Sequence, residues 1–273
     1  MPFLVARGVR AAGRTLAVAA LRGQADPRLR VFADSFRWVG VARPGSWIRT
    51  LRSAGVSQAV MIGGIKKSDR YSPWRMVQYL PDWRAFRLWY VRARNDRRDG
   101  AILHALANEL ADEGIELLSN VDYCMEHMAT EGLMTRTAMP RGVEADVEFG
   151  WRIARAAADL EIGQALAVKE LGILAIEGLE GTNAMIQRAG QLCRNGGWTM
   201  IKAARPNQDM RFDIPTIGTD TLRALKEANC RCLVVEAGKA IFADKARTLA
   251  LADRLGIAVV GKTAESGELG RTE

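Results

Sequence analysis

The sequence predicts an α/β protein in two domains, over residues 1–138 and 139–273. Three observations predict it. The chain holds 273 residues, more than one ordinary domain, and 48% of them are hydrophobic, enough for two cores. Short apolar runs of strand character alternate with stretches whose apolar residues recur every three or four positions. A segment without periodicity, Arg136 to Ala145 with Pro140 and Gly142, separates the two alternating halves as a linker.

The elements follow in order. Phe3 to Ala12 reads as a helix. Thr15 to Ala20 and Gln58 to Ile62 read as buried strands, each bounded by glycine or polar residues. Asp99 to Gly114 is an amphipathic helix with Asp99 as cap, Ile102, Leu103, Leu106 and Leu110 as apolar stripe, and Gly114 as stop. His104 sits just off that stripe and reads as a partly buried structural side chain. After the linker, Asp146 caps a helix running to about Leu160, with Val147, Trp151, Ala154 and Ala158 on one face. Strands are expected at Ala165–Val168, Ile173–Ile176, Met200–Ile201, Leu233–Val235 and Ile257–Val260. Helices near Met185–Leu192, Leu222–Ala228 and Leu249–Leu255 lie between the later ones.

The net charge of +8 suits an anionic partner: a phosphorylated small molecule, an acidic membrane face or nucleic acid. Cys124, Cys193, Cys230 and Cys232 form no C-x-x-C pair and read as reduced, mostly buried thiols. Only two histidines, His104 and His127, are present, which excludes a histidine-rich metal site. No apolar run approaches membrane-spanning length and no signal peptide is evident, so a cytoplasmic protein is expected.

Three constellations carry chemistry. Gly63-Gly64 follows a strand and precedes Lys66-Lys67, the composition of a turn that approaches phosphate or of an ordinary turn. Glu177-Gly178-Leu179-Glu180-Gly181-Thr182-Asn183 runs from a strand into a helix, with Thr182 or Asn183 as cap. Its free backbone N–H groups favour phosphate, while Glu177 and Glu180 would repel it unless a divalent cation such as Mg²⁺ bridged them. The third, Lys202 to Gly218, packs three cations, two carboxylates and two amides into one stretch that Pro206 and Pro215 stiffen. In extended backbone Asp209, Arg211 and Asp213 share one face, so a carboxylate could hold metal or activate water while arginine neutralises phosphate. No G-x-S-x-G, Cys–His pattern or P-loop supports nucleophilic catalysis. Trp74, Arg75, Trp83, Arg84, Arg87, Trp89, Tyr90, Arg92, Arg94, Arg97 and Arg98 interleave aromatics with cations. Such a stretch covers a core, stacks on single-stranded nucleic acid or rests on a membrane.

With L-E-I-G-Q at Leu160–Gln164, E-G-L-E-G-T at Glu177–Thr182, the Lys202–Gly218 stretch and V-E-A-G at Val235–Gly238, the chain resembles the bacterial UDP-2,3-diacylglucosamine pyrophosphatases of the LpxI type. The likeness spans nearly the whole chain. It implies a Rossmann-like N-terminal domain, a C-terminal α/β catalytic domain and Mg²⁺-dependent hydrolysis of UDP-2,3-diacylglucosamine to UMP and 2,3-diacylglucosamine 1-phosphate, in lipid A synthesis. On that resemblance Asp213, Asp209 and Arg211 are the catalytic candidates, with Asp213, Glu177 and Glu180 toward metal. Lys202, Arg205, Gln208, Thr182, Asn183, Gly181, Gly63 and Gly64 are the substrate-binding candidates. The expected partner is the UDP-linked acylated glucosamine, with peripheral contact at the inner membrane face and a homodimer also compatible, and no nucleic acid. The alternative is a non-catalytic member that binds nucleotide or acidic lipid. The family opens with a strand and glycine-rich turn; this chain opens at Met1-Pro2, so the expectation is a Rossmann-like domain without its first strand. Asn183 stands where the family carries aspartate, and Gly100 where a second aspartate often follows Asp99.

Overall fold

The computed structural model describes residues 1–63, 80–88, 90, 99–119, 121–205, 209–212 and 214–263. The chain is a mixed α/β protein of two compact units, one of Met1–Cys124 with Met210–Phe212, the other of Met125–Asp209 and Asp213–Glu273.

In the first unit, helix α1 (Pro2–Ala11) starts with proline in its first turn, where the missing N–H costs nothing. Strands β1 (Ala17–Leu21) and β2 (Ser35–Val39) pair in parallel, as do β3 (Gln58–Ala59) and β4 (Glu116–Leu117). Helices α2 (Pro44–Ser53), α3 (Trp83–Arg87) and α4 (Asp99–Ala111) complete it. Ile48 of α2, Leu106 and Leu110 of α4, and Ile115 and Leu117 beyond it form the core, with Phe212 packed at its margin. The expected strand at 58–62 is ordered as strand only over two residues, and the strand at 15–20 is half-buried rather than buried. His104 is exposed, its ring edge-on to Phe212 with centroids 5.2 Å apart.

A buried carboxylate organises the helices of this unit. Glu109 is 1% exposed and accepts from Arg87 Nη2 at 2.6 and 2.7 Å and from Arg84 Nη1 at 2.9 Å. Arg84 also reaches Glu113 at 2.5 Å, and Glu113 accepts from Arg52 of α2 at 2.7 Å. Thus Arg84 and Arg87 point at α4, while Trp83, Phe86 and Tyr90 stack outward with centroid spacings of 5.6 and 4.4 Å. The other cations and tryptophans of the 74–98 stretch lie outside the described residues.

The second unit is built on one six-stranded sheet, in the order β5-β12-β10-β8-β6-β7. Its strands are β5 (Gly132–Leu133), β6 (Ala165–Lys169), β7 (Gly172–Ile176), β8 (Thr199–Lys202), β10 (Cys232–Glu236) and β12 (Ala258–Lys262). The three strands β8, β10 and β12 are mutually parallel, and β5, β6 and β7 run antiparallel to their neighbours. Strand periodicity splits their side chains between two faces. Leu166, Val168, Ile201, Cys232, Val234 and Ala258 meet helix α5 (Val143–Asp159) through Val147, Trp151 and Ala154. Ala167, Met200, Leu233, Val235 and Val259 share a cluster with Met185 and Ile186 of α6 (Thr182–Leu192), Leu222 and Leu225 of α7 (Thr219–Glu227) and Ala252 of α8 (Lys245–Leu255). A short parallel pair, β9 (Thr216–Ile217) with β11 (Ile241–Phe242), lies outside the main sheet. Helix α5 comes close to the sheet at Gly150, where an added Cβ would stand 2.6 Å from Ile201 Cδ1.

Two capping expectations are corrected. Helix α5 begins at Val143 after Gly142, so Asp146 lies inside its first turn. The Asp146 carboxylate instead accepts the N–H groups of Glu170 and Leu171 at 3.0 and 2.7 Å, holding the β6–β7 turn. Helix α6 has Gly181 as N-cap at φ +82°, with no side-chain cap, because Thr182 spends its hydroxyl elsewhere. The 136–145 stretch leads into α5 and is tied down, Thr137 N donating to Asp253 of α8 at 2.8 Å. All four cysteines are buried thiols. No helix among the described residues is long and apolar enough to cross a membrane.

Candidate functional site

The C-terminal ends of β8, β10 and β12 and the end of β7 fall on one edge of the sheet of the second unit. Register places Lys202 beside Val235, Glu236 beside Lys262, and Lys202 beside Ala165 at the start of antiparallel β6. This is the edge where open α/β sheets take their ligands.

Three predicted residues meet there. Thr182 Oγ1 donates to Glu177 Oε1 at 2.7 Å, and Lys202 Nζ donates to Thr182 Oγ1 at 3.3 Å. The other Glu177 oxygen accepts from Gln164 N at 3.3 Å. Lys202 ends a strand whose residues are all buried, and it is only 9% exposed. Its ammonium therefore sits where water cannot fully solvate it. Gly181 and Asn183 flank Thr182 at the start of α6. The first helical bond runs from Met185 N to Gly181 O, so the N–H groups of Thr182, Asn183 and Ala184 precede the intrahelical ladder. Cationic Lys202 and an uncapped helix start together make an arrangement that receives phosphate oxygens.

Glu180 behaves differently from Glu177. It accepts from Arg188 Nη2 at 2.6 Å and from Gly178 N at 3.0 Å. The Arg188 hydrogen bond holds its carboxyl below the usual carboxylate range. The two glutamates expected to share a cation thus have separate partners. No group of three His, Cys, Asp or Glu that could hold a metal occurs among the described residues. The donor set in view does not by itself fit Mg²⁺.

Arg205 and Asp209 are half-buried in the second unit. Arg211 is grouped with the first unit, its guanidinium carbon 5.2 Å from the Phe212 ring centroid. Gly63 of the first unit adopts φ +118°. Asp213, Gln208 and Gly64 lie outside the described residues.

The structure adds a residue not named as a site candidate from the sequence. Glu236 is 1% exposed at the end of β10. One oxygen accepts Ala204 N at 2.8 Å; the other lies 3.0 Å from Lys239 Nζ and 3.5 Å from Arg155 Nη1. Ala204 begins the segment that carries Arg205 and Asp209, so this carboxylate anchors the root of the charged loop. Its signal in the sequence is an acidic residue closing the apolar run Cys232–Val235.

A family model described as the LpxI N-terminal domain matches residues 1–127, and one described as the LpxI C-terminal domain matches residues 130–260. The chain is similar to a Caulobacter vibrioides protein named UDP-2,3-diacylglucosamine pyrophosphatase LpxI. Identity is 30% over 272 aligned residues, covering 96% of this chain and 93% of that protein.

Proposed function

The chain belongs to the LpxI family, and from that premise we propose that it hydrolyses the pyrophosphate of UDP-2,3-diacylglucosamine, releasing UMP and 2,3-diacylglucosamine 1-phosphate. The observation that carries the reading is the Glu177–Thr182–Lys202 cluster beside the uncapped start of α6. A pyrophosphate substrate brings negative charge, and more develops as the bridging P–O bond breaks. Lys202 neutralises phosphate charge in this reading. The Thr182 hydroxyl, its proton committed to Glu177, has its lone pairs directed toward Lys202 and so orients that ammonium. The α6 N–H groups donate to the remaining oxygens.

Asp213, from the R-x-D-x-P motif, is proposed to receive the proton of the attacking water or to help hold Mg²⁺. The Mg²⁺ requirement rests on the family resemblance. A cytoplasmic location with peripheral membrane contact, and a homodimer, belong to the same proposal.

The test is UMP release from UDP-2,3-diacylglucosamine with Mg²⁺, for wild type, Asp213→Ala and Lys202→Met. Wild type is expected to turn over, and EDTA to stop it. Asp213→Ala should fall by roughly a hundredfold or more, and Lys202→Met by about tenfold to a hundredfold. A wild type that binds the substrate without releasing UMP overturns the enzyme reading and leaves a binding member of the family. Full activity in Asp213→Ala removes that residue from the chemistry.

A further inference from the structure

A second cationic feature lies on the second unit, and its lining residues take no part in the Glu177–Thr182–Lys202 cluster. A cleft of about 540 Å³ is lined by Arg136, Ala246, Arg247, Ala250, Asp253 and Arg254. Five of these come from α8. Arg247, Ala250 and Arg254 are spaced three and four apart and share one helix face. Ala246 and Ala250, both small and exposed, line it beside these arginines, and Arg136 lines it from the segment before α5.

Cationic charge exceeds anionic charge in this cleft. Asp253 is engaged by Thr137, whose N–H and Oγ1 donate to the same carboxylate oxygen at 2.8 and 3.0 Å. Those bonds, with Arg136 nearby, keep its carboxyl ionised and below the usual range. The three arginines still outnumber it. Among the described residues the guanidinium groups of Arg136, Arg247 and Arg254 enter no hydrogen bond or ion pair within 4.0 Å. Planar guanidinium forks in excess over the single carboxylate Asp253 favour phosphate, which they bind bidentately.

We propose that the Arg136–Arg247–Arg254 cleft binds phosphate groups, as a site separate from the one where the pyrophosphate is cleaved. The proposal does not depend on the pyrophosphatase reading, because it uses none of its residues. Two sources present this chemistry: the headgroups of an anionic bilayer and free phosphate. The cleft is open and its arginines are exposed, so both can reach it.

The test compares the wild-type chain with the triple variant Arg136→Ala, Arg247→Ala, Arg254→Ala. A control carries Arg22→Ala, Arg37→Ala and Arg152→Ala, which remove the same charge from exposed positions elsewhere. Cosedimentation with phosphatidylcholine vesicles, with and without phosphatidylglycerol, reads the lipid arm. Phosphate titration followed by ³¹P NMR reads the other. All variants are first shown to melt like wild type.

If headgroups are the ligand, the wild type binds phosphatidylglycerol vesicles at low salt. The triple variant binds roughly a hundredfold more weakly, and the control much less so. If free phosphate is the ligand, saturable phosphate binding disappears in the triple variant and vesicle binding does not change. Loss that is equal in triple variant and control overturns the proposal, because net charge then explains it. So does binding that is unchanged in the triple variant, or absent from the wild type on both probes.

Discussion

At the scale of single residues, Glu236 joins fold to function. Its buried carboxylate ties Ala204 N, Lys239 and Arg155 to the end of β10. Removing it strands a buried N–H and two cations together. Glu236→Ala should lower stability in urea by about 3 kcal/mol, and Glu236→Gln, which keeps an acceptor for Ala204, by less. An alanine variant as stable as wild type would show that the loop root is held otherwise. Single residues were also where the sequence could and could not be read. Glu177 and Thr182 are marked by the glycines and carboxylates of a strand-to-helix turn, and Lys202 by the family resemblance. The same pattern makes Thr182 or Asn183 the natural cap. Nothing local reveals that a hydroxyl will prefer a glutamate five residues back to the helix it begins. Glu236 was hidden for a similar reason, since a charged residue at a strand end normally points to water.

At the scale of elements, the β6–β7 hairpin shows structure imposed from outside. Its two turn residues, Glu170 and Leu171, have φ of +51° and +60°, a conformation that suits Asn-Gly and burdens a Cβ. Asp146 of α5 compensates by accepting both turn N–H groups. Two measurements check this. Asp146→Ala should cost about 1–2 kcal/mol of unfolding free energy. Leu171→Gly should gain about 1 kcal/mol, since Leu171 is exposed and loses little packing. A destabilised glycine variant would mean that the turn is not strained. No turn signal marks Glu170-Leu171, although the two flanking strands were read from their apolar runs. Helices fared better, because their periodicity is local: α5 buries the face of Val147, Trp151, Ala154 and Ala158 that spacing predicted. Strand β2 (Ser35–Val39) has no counterpart among the expected strands, because Arg37 interrupts its apolar residues Phe36, Trp38 and Val39.

At the scale of the whole molecule, two α/β halves were legible from length and alternation, while strand order was not, because register joins residues far apart in sequence. Thiol burial was legible and has a global consequence. Burial pushes the Cys232 thiol up to about 12 and Cys230 upward as well. In an unfolded chain a thiol titrates near about 8.5, so above that pH the folded state holds protons that the unfolded state releases. Stability should therefore be intact below about pH 8 and decline as pH rises toward 11, by up to about 1.4 kcal/mol per pH unit for each thiol. Chemical denaturation at pH 7, 9 and 10.5 checks the sign; flat stability would place these thiols in water. The sheet order carries a last consequence, one of time. Leu133 of β5 pairs with Val260 of β12, so the earliest strand of this sheet lies against the latest. On a ribosome adding roughly 5–20 residues each second, β5 is made some ten seconds or so before β12, its strand partner among the described residues, exists. A nascent chain paused before β12 carries an open flank on β10, and for that interval its safety depends on whatever attends it at the tunnel mouth.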